Sequence, residues 1–126
     1  MSRTIINTEK AGKPLSLYSQ AVRCAGLVFV SGTAATDPET GQLVGDTIQE
    51  QTAQCLRNIS VILEAAGSSL AKAVSATVIL TEPEDFPGLN EEWAKWFPDE
   101  KPARQGAKMP LNVPGLKVSI AMIAEA

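Results

Sequence analysis

Apolar and polar positions alternate most cleanly near the end of the chain. Between Leu116 and Ala124, Val118, Ile120, Met122 and Ala124 fall on one side, and Ser119, Ala121, Ile123 and Glu125 on the other. A period of two predicts a strand with one face in the core. A helical period runs from Ile48, where Ile48, Cys55, Leu56, Ile59, Ile62, Leu63 and Ala66 form one wide stripe. Gln49, Glu50, Gln54, Arg57 and Glu64 fall mostly on the other face of that helix. Asp46 predicts its N-cap, with Gln49 completing a capping box, and Gly67 predicts a left-handed stop.

The remaining segments read in order. Arg3 to Ile6 is β-rich, and Gly12-Lys13-Pro14 breaks it. Ala21 to Ser31 predicts two strands folded at Ala25-Gly26. Leu27 to Val30 is a continuous apolar run, which suits a strand buried on both faces. Thr36 to Gly41 is a loop, and the β-branched run Val74 to Leu80 a strand. A second helix spans Phe86 to about Phe97, with Leu89, Trp93, Trp96 and Phe97 on its apolar side. Pro98 stops it, Pro102 opens a strand through about Met109, and Pro110 and Pro114 mark a loop. The order is βββ-α-β-α-ββ in one domain spanning 1–126. This predicts an α+β two-layer fold, a six-stranded mixed sheet packed on two helices. Val28, Val30, Val78, Leu80, Ile120 and Ile123 are too many to lie under two helices. A partly apolar free sheet face is therefore expected, which favours homo-oligomerisation.

Composition narrows the chemistry. The chain has 126 residues, and the area scaling expects about two-thirds of the unfolded surface to be buried, enough for a core without metal or disulfide staples. Net charge is −3, which argues against a phosphate-backbone partner such as nucleic acid. Histidine is absent, which excludes Ser-His-Asp and Cys-His nucleophiles and His-ligated metals. Cys24 and Cys55 form no CxxC, so neither a zinc site nor a disulfide framework is expected. The longest apolar stretch, Ala25 to Val30, is too short for a bilayer. A reducing, cytoplasmic setting is the expectation, with an organelle such as the mitochondrion left open.

Several residues can carry chemistry. Arg104, after Pro102-Ala103, is either a solvated arginine or a bidentate grip on a carboxylate. Tyr18, the only tyrosine, either lies half buried at a sheet edge or orients a ligand and shuttles a proton. Ser31-Gly32-Thr33 is a strand end with a turn glycine, or a set of backbone donors for an anion. Asn90 is a polar group of the second helix. Trp93 and Trp96 read as core, Cys55 as a buried thiol, and Glu82, Glu84 and Asp85 as a solvated helix start.

Together these pieces resemble the Rid family of reactive intermediate/imine deaminases, also called YjgF and formerly endoribonuclease L-PSP. The markers are Pro14 to Tyr18 with Gln20, Val30-Ser31-Gly32, Asp37 to Gly41 and Glu64-Ala65-Ala66-Gly67. Asp85-Phe86 with Asn90, Pro102-Ala103-Arg104 and Lys117 to Ile120 complete them. The resemblance implies a chorismate-mutase-like fold and a homotrimer with ligand sites between subunits. It implies hydrolysis of 2-imino or enamine acids to 2-keto acids and ammonia, a metabolite damage-control activity that needs no cofactor. Arg104 matches the carboxylate grip and Tyr18 the tyrosine near the imine. Ser31, Gly32 and Asn90 match pocket positions, Trp93 joins them, and the N–H of Gly106 would face the carboxylate.

The chain also departs from that pattern. Gly106 stands where the family has cysteine, Ala121 where it has a glutamate thought to position water, and Gln105 where it has threonine or serine. Ser119 and Glu125 share the strand face of Ala121 but are displaced by about 7 and 13 Å. A wider, less negative, more apolar pocket and a bulkier substrate are the expectation. The alternatives are a non-catalytic trimeric binder of a small carboxylate metabolite and a divergent enzyme of specialised metabolism.

Overall fold

The computed structural model describes residues 2–13 and 16–126. Pro14 and Leu15, part of the expected break and of the marker segment, lie outside the described residues. The strands are β1 (Thr4–Ile6), β2 (Ala21–Cys24), β3 (Leu27–Thr33), β4 (Ala73–Leu80), β5 (Ala103–Lys108) and β6 (Val118–Glu125). The helices are α1 (Ile48–Ala65) and α2 (Phe86–Trp96). The sheet runs β1-β2-β3-β6-β4-β5. All neighbours are antiparallel except β4 and β5, joined by α2 as a parallel crossover.

Local chemistry explains the element ends. Ala25 and Gly26 have φ of 54° and 77° and close the two-residue turn between β2 and β3. This backbone matches the twist of the flanking strands. Gly67, with φ of 81°, ends α1 as expected, and the Ser68 N–H reaches the Leu63 carbonyl at 2.8 Å. The capping box sits one residue later than expected. Thr47 is the N-cap, its hydroxyl accepts from the Glu50 N–H, and the Glu50 carboxylate accepts from the Thr47 N–H. The sequence carries two overlapping box patterns, and the one with a carboxylate at its third position forms.

The core lies between the helices and one face of the sheet. Val28, Val30, Val78, Leu80 and Ile120 all lie there, so five of the six residues expected to overcrowd it do fit. Leu27 to Val30 alternates rather than being buried on both faces, because none of the described residues covers Phe29, which is 42% exposed. The open face is still partly apolar, through Phe29, Leu27, Ile79 and Ile123. The total surface is 7125 Å². A compact chain of this mass is expected to show about 6,500 Å². The excess fits an uncovered sheet face and an edge strand, β5, exposed at every residue.

Polar side chains of α1 fix the loops around the sheet. Gln51 is buried; its amide donates to the Gly45 and Gly115 carbonyls and accepts from the Lys117 N–H. Asn58 donates to the Ala34 and Thr36 carbonyls. Gln54, placed by its spacing on the outer face, is buried and donates to Asn58, because the Thr36 segment folds over it.

Candidate active site

Arg104 pairs in register with buried Ala76, and Gly106 with buried Val78. Both therefore face the helix layer, at the free edge of the sheet. There α2 presents Phe86, Asn90 and Trp93, spaced i, i+4 and i+7 on one stripe. The Arg104 Nη2 donates to Asn90 Oδ1 at 2.7 Å. Its guanidinium carbon stands 5.1 Å from the Trp93 ring centroid. Asn90 and Trp93 thus aim an exposed cation. Among the described residues the ion pairs join Lys13 to Glu9 and Lys95 to Glu92, so no carboxylate neutralises Arg104. Its other N–H groups are left for a ligand. The Met109 N–H bonds the Leu80 carbonyl. Strand alternation carried back from that bond turns the N–H of Gly106 away from β4, out at the free edge. An oxyanion there meets Arg104 and a backbone donor.

Trp93 is buried, packs on Phe97 with centroids 4.6 Å apart, and meets this edge through Arg104. The expectation that Gly106 widens a pocket is corrected. Its missing side chain leaves no empty space, because the Phe86 ring fills it.

A second group forms on the other side of the molecule. Val30 pairs with Met122 and Thr33 with Ile120, so Ser31 and Gly32 together oppose Ala121 as a β-bulge. The Ser31 hydroxyl donates to the Ser19 carbonyl at 2.6 Å, and the Ser31 N–H to the Gln20 carbonyl. These bonds lace the Tyr18 loop to the bulge. Buried Gln20 anchors the loop again, accepting from the Thr8 N–H and donating to the Thr8 and Gly12 carbonyls. Tyr18 is 53% exposed and lines a cleft of about 360 Å³ with Thr8, Lys13, Ser16 and Gln20.

Sequence reasoning set aside one residue that this geometry brings in. A β-carbon at Gly32 would lie 3.2 Å from Ser119 Oγ, so the glycine keeps the space over that hydroxyl open. The Ser31 hydroxyl proton is committed to Ser19, whereas Ser119 carries a side-chain oxygen at the mouth of the bulge. The strand alternation already put Ser119 on this face; the bulge that brings it beside Gly32 has no sequence signature. Thr77, opposite Ala121, accepts from the Gln105 amide at 3.2 Å.

Within one chain the two groups do not meet. Arg104, Asn90 and Gly106 gather at β5; Tyr18, Ser31, Gly32 and Ala121 gather at β3 and β6. Three strand spacings, about 14 Å, separate β5 from β3. Cys55 lies under β6, and burial pushes its thiol pKa far up, so it stays protonated and inert. No group of His, Cys, Asp or Glu among the described residues could hold a metal ion. Among the described residues no helix is long and apolar enough to cross a membrane.

Comparison with known proteins decides the family. The model of the family described as Endoribonuclease L-PSP matches residues 8–126. Reactive Intermediate Deaminase A, chloroplastic, of Arabidopsis thaliana is 40% identical over 127 residues, covering 98% of this chain and 66% of that protein. The chain belongs to the Rid family. Its Rid relatives include the 2-iminobutanoate/2-iminopropanoate deaminase of Rattus norvegicus, 36% identical over 97% of this chain and 89% of that protein. The crystal structure of RidA from the Antarctic bacterium Psychrobacter sp. PAMC 21119 superposes with a TM-score of 0.92 at 36% identity, covering 98% of this chain and 99% of that one. The Rid fold, α+β with two helices on a six-stranded mixed sheet, is thus shared.

Proposed function

We propose that this chain hydrolyses 2-imino or enamine carboxylic acids to 2-keto acids and ammonia. The observation that carries the proposal is an arginine aimed by Asn90 and Trp93 at an open edge, with no carboxylate of its own. The substrate carboxylate sits on Arg104 and the Gly106 N–H. Water adds to the carbon of the C=N bond, giving a carbinolamine. Its C–N bond then breaks with a proton delivered to nitrogen, a task suited to the Tyr18 hydroxyl, and ammonia leaves. An imine is already electrophilic, so a site without histidine suffices.

The two groups are too far apart to act on one small acid. We assign the complete site to a homotrimer, in which the Arg104 edge of one copy meets the Tyr18 loop and bulge of the next. The uncovered, partly apolar sheet face supports this assembly. With the space at Gly106 taken by Phe86, any widening of the pocket rests on the small side chain of Ala121. Two unpaired thiols suit a reducing compartment such as the cytoplasm.

One observation favours a second reading. The groups around the bulge, Ser31, Ser119, Thr77 and Gln105, are all neutral, so no carboxylate base stands beside Ala121. That suits a trimer that binds a small carboxylate without turnover. The test separates the two. An amino-acid oxidase generates 2-imino acids while semicarbazide traps whatever remains unhydrolysed. Wild type lowers semicarbazone formation and Arg104→Ala does not. Equal semicarbazone with and without wild type, alongside saturable 2-keto acid binding, selects the binder.

A further inference from the structure

The contact between Phe86 and Gly106 is unusually close. A β-carbon at Gly106 would fall 2.8 Å from Cζ and 2.9 Å from Cε1 of the Phe86 ring. Packed atoms do not approach so closely, so the ring occupies the volume a side chain at 106 would need. Backbone freedom does not account for this glycine, because its φ is not positive, unlike those of Gly26 and Gly67. What the glycine permits is the seat of the ring. Phe86 is only half buried, and the tip of its ring rests on Gly106, whose N–H shares the free edge with Arg104.

Arg104 and Gly106 are about 7 Å apart along β5. A carboxylate held between them would set its next carbon, with the side chain that carbon bears, beside the half-buried ring of Phe86. The ring has no donor or acceptor. An amide laid against it loses water and gains no partner. An aliphatic chain gains burial, and an aromatic one also gains a ring contact.

We propose that Phe86, seated on the bare backbone of Gly106, sets which side chains the Arg104 anchor accepts, favouring apolar and aromatic 2-imino acids over amide-bearing ones of the same size. The substrate class rests on the deaminase reading above; the wall itself rests on the geometry alone.

The test uses the full chain and two readouts. Calorimetry gives the dissociation constants of phenylpyruvate, 4-methyl-2-oxopentanoate and 2-oxosuccinamate, the last two being leucine-like and asparagine-like acids of nearly equal size. The trapping assay gives hydrolysis of the matching imines. Wild type prefers the leucine-like acid by about tenfold. Phe86→Ala brings that ratio toward one. A merely structural loss would weaken both ligands together and leave the ratio in place. Gly106→Cys displaces the ring and weakens the apolar acids by about tenfold. Gly106→Cys/Phe86→Ala binds more tightly than Gly106→Cys alone, because the added sulfur then has room.

The proposal is overturned if wild type binds the matched pair alike, if Phe86→Ala keeps the ratio, or if Gly106→Cys leaves binding unchanged. Selective binding without imine hydrolysis upholds the role of Phe86 and removes the deaminase reading. Hydrolysis whose selectivity ignores Phe86 does the reverse.

Discussion

Arg104→Lys separates charge from geometry at the anchor. Lysine keeps the positive charge but loses the planar fork. Arginine spends Nη2 on Asn90 and still has parallel N–H groups for a carboxylate. An ammonium has three N–H donors but no planar fork to match both carboxylate oxygens, and it has no flat face for Trp93. The lost second charge-assisted hydrogen bond is worth about 1.5 kcal/mol. This is the low end of the range, because the edge is exposed and water competes there. Losing the stacking that aims the group adds about 0.5 kcal/mol. The sum, about 2 kcal/mol, corresponds to roughly thirtyfold weaker binding. Calorimetry with 2-oxobutanoate reads it directly. In steady-state kinetics it appears as a raised KM with kcat little changed, since the anchor grips substrate and transition state alike. Arg104→Ala, which also loses the charge, weakens binding further. The thermal midpoint of both variants stays near that of wild type, as for other exposed substitutions. A change under about threefold for lysine, or identical losses for lysine and alanine, would refute the bidentate anchor. A large fall in thermal midpoint would show the arginine to be a structural brace.

Other consequences are as concrete. Thr47→Ala removes the α1 cap and should cost about 1 kcal/mol in denaturant unfolding. The capping hydrogen bonds, first the one from the Thr47 N–H, hold the Glu50 carboxyl below its ordinary pKa. A lowered folded pKa gives stability that is present above the unfolded value and lost as pH falls through the folded one. Glu50→Gln should therefore flatten the stability profile below pH about 5, and an unchanged acid limb would contradict the box. Ala25 is a non-glycine residue with positive φ, so Ala25→Asn should stabilise the turn by about 0.5 kcal/mol, seen as a higher thermal midpoint. Ser119→Ala should lower kcat for imine hydrolysis more than it raises KM if that hydroxyl places the water; a change in KM alone would assign it to binding.

Some of this was legible in the residues themselves. The alternation of Val118 to Glu125, the turn at Ala25-Gly26 and the stop at Gly67 are local features, and local chemistry enforces each of them. Strand order is not local. Nothing in β6 announces that it lies between β3 and β4, and that placement is what brings Ala121 opposite the Ser31–Gly32 bulge. The misplaced α1 cap came from two overlapping patterns one residue apart, which only the hydrogen bonds distinguish. At the site, residue types were informative and contacts were not. Arg104 and Asn90 were both singled out, but their bond spans 14 residues between a helix and a strand. Gly106 read as vacant space because a glycine says nothing of its neighbours; the neighbour is an aromatic ring from another element.

The position of β6 also governs how the molecule comes into being. During synthesis β1, β2, β3, β4 and β5 emerge before it, yet β3 and β4 are both hydrogen-bonded to β6 and not to each other. Until residue 125 has left the ribosome, the β1-β2-β3 hairpins and the β4-β5 pair have no strand to join them, and the part of α1 that packs on β6 stays uncovered. The last strand closes both halves at once. A stalled chain lacking those residues would therefore be two exposed fragments, an object for chaperones and proteases, and not a slightly shortened version of the fold.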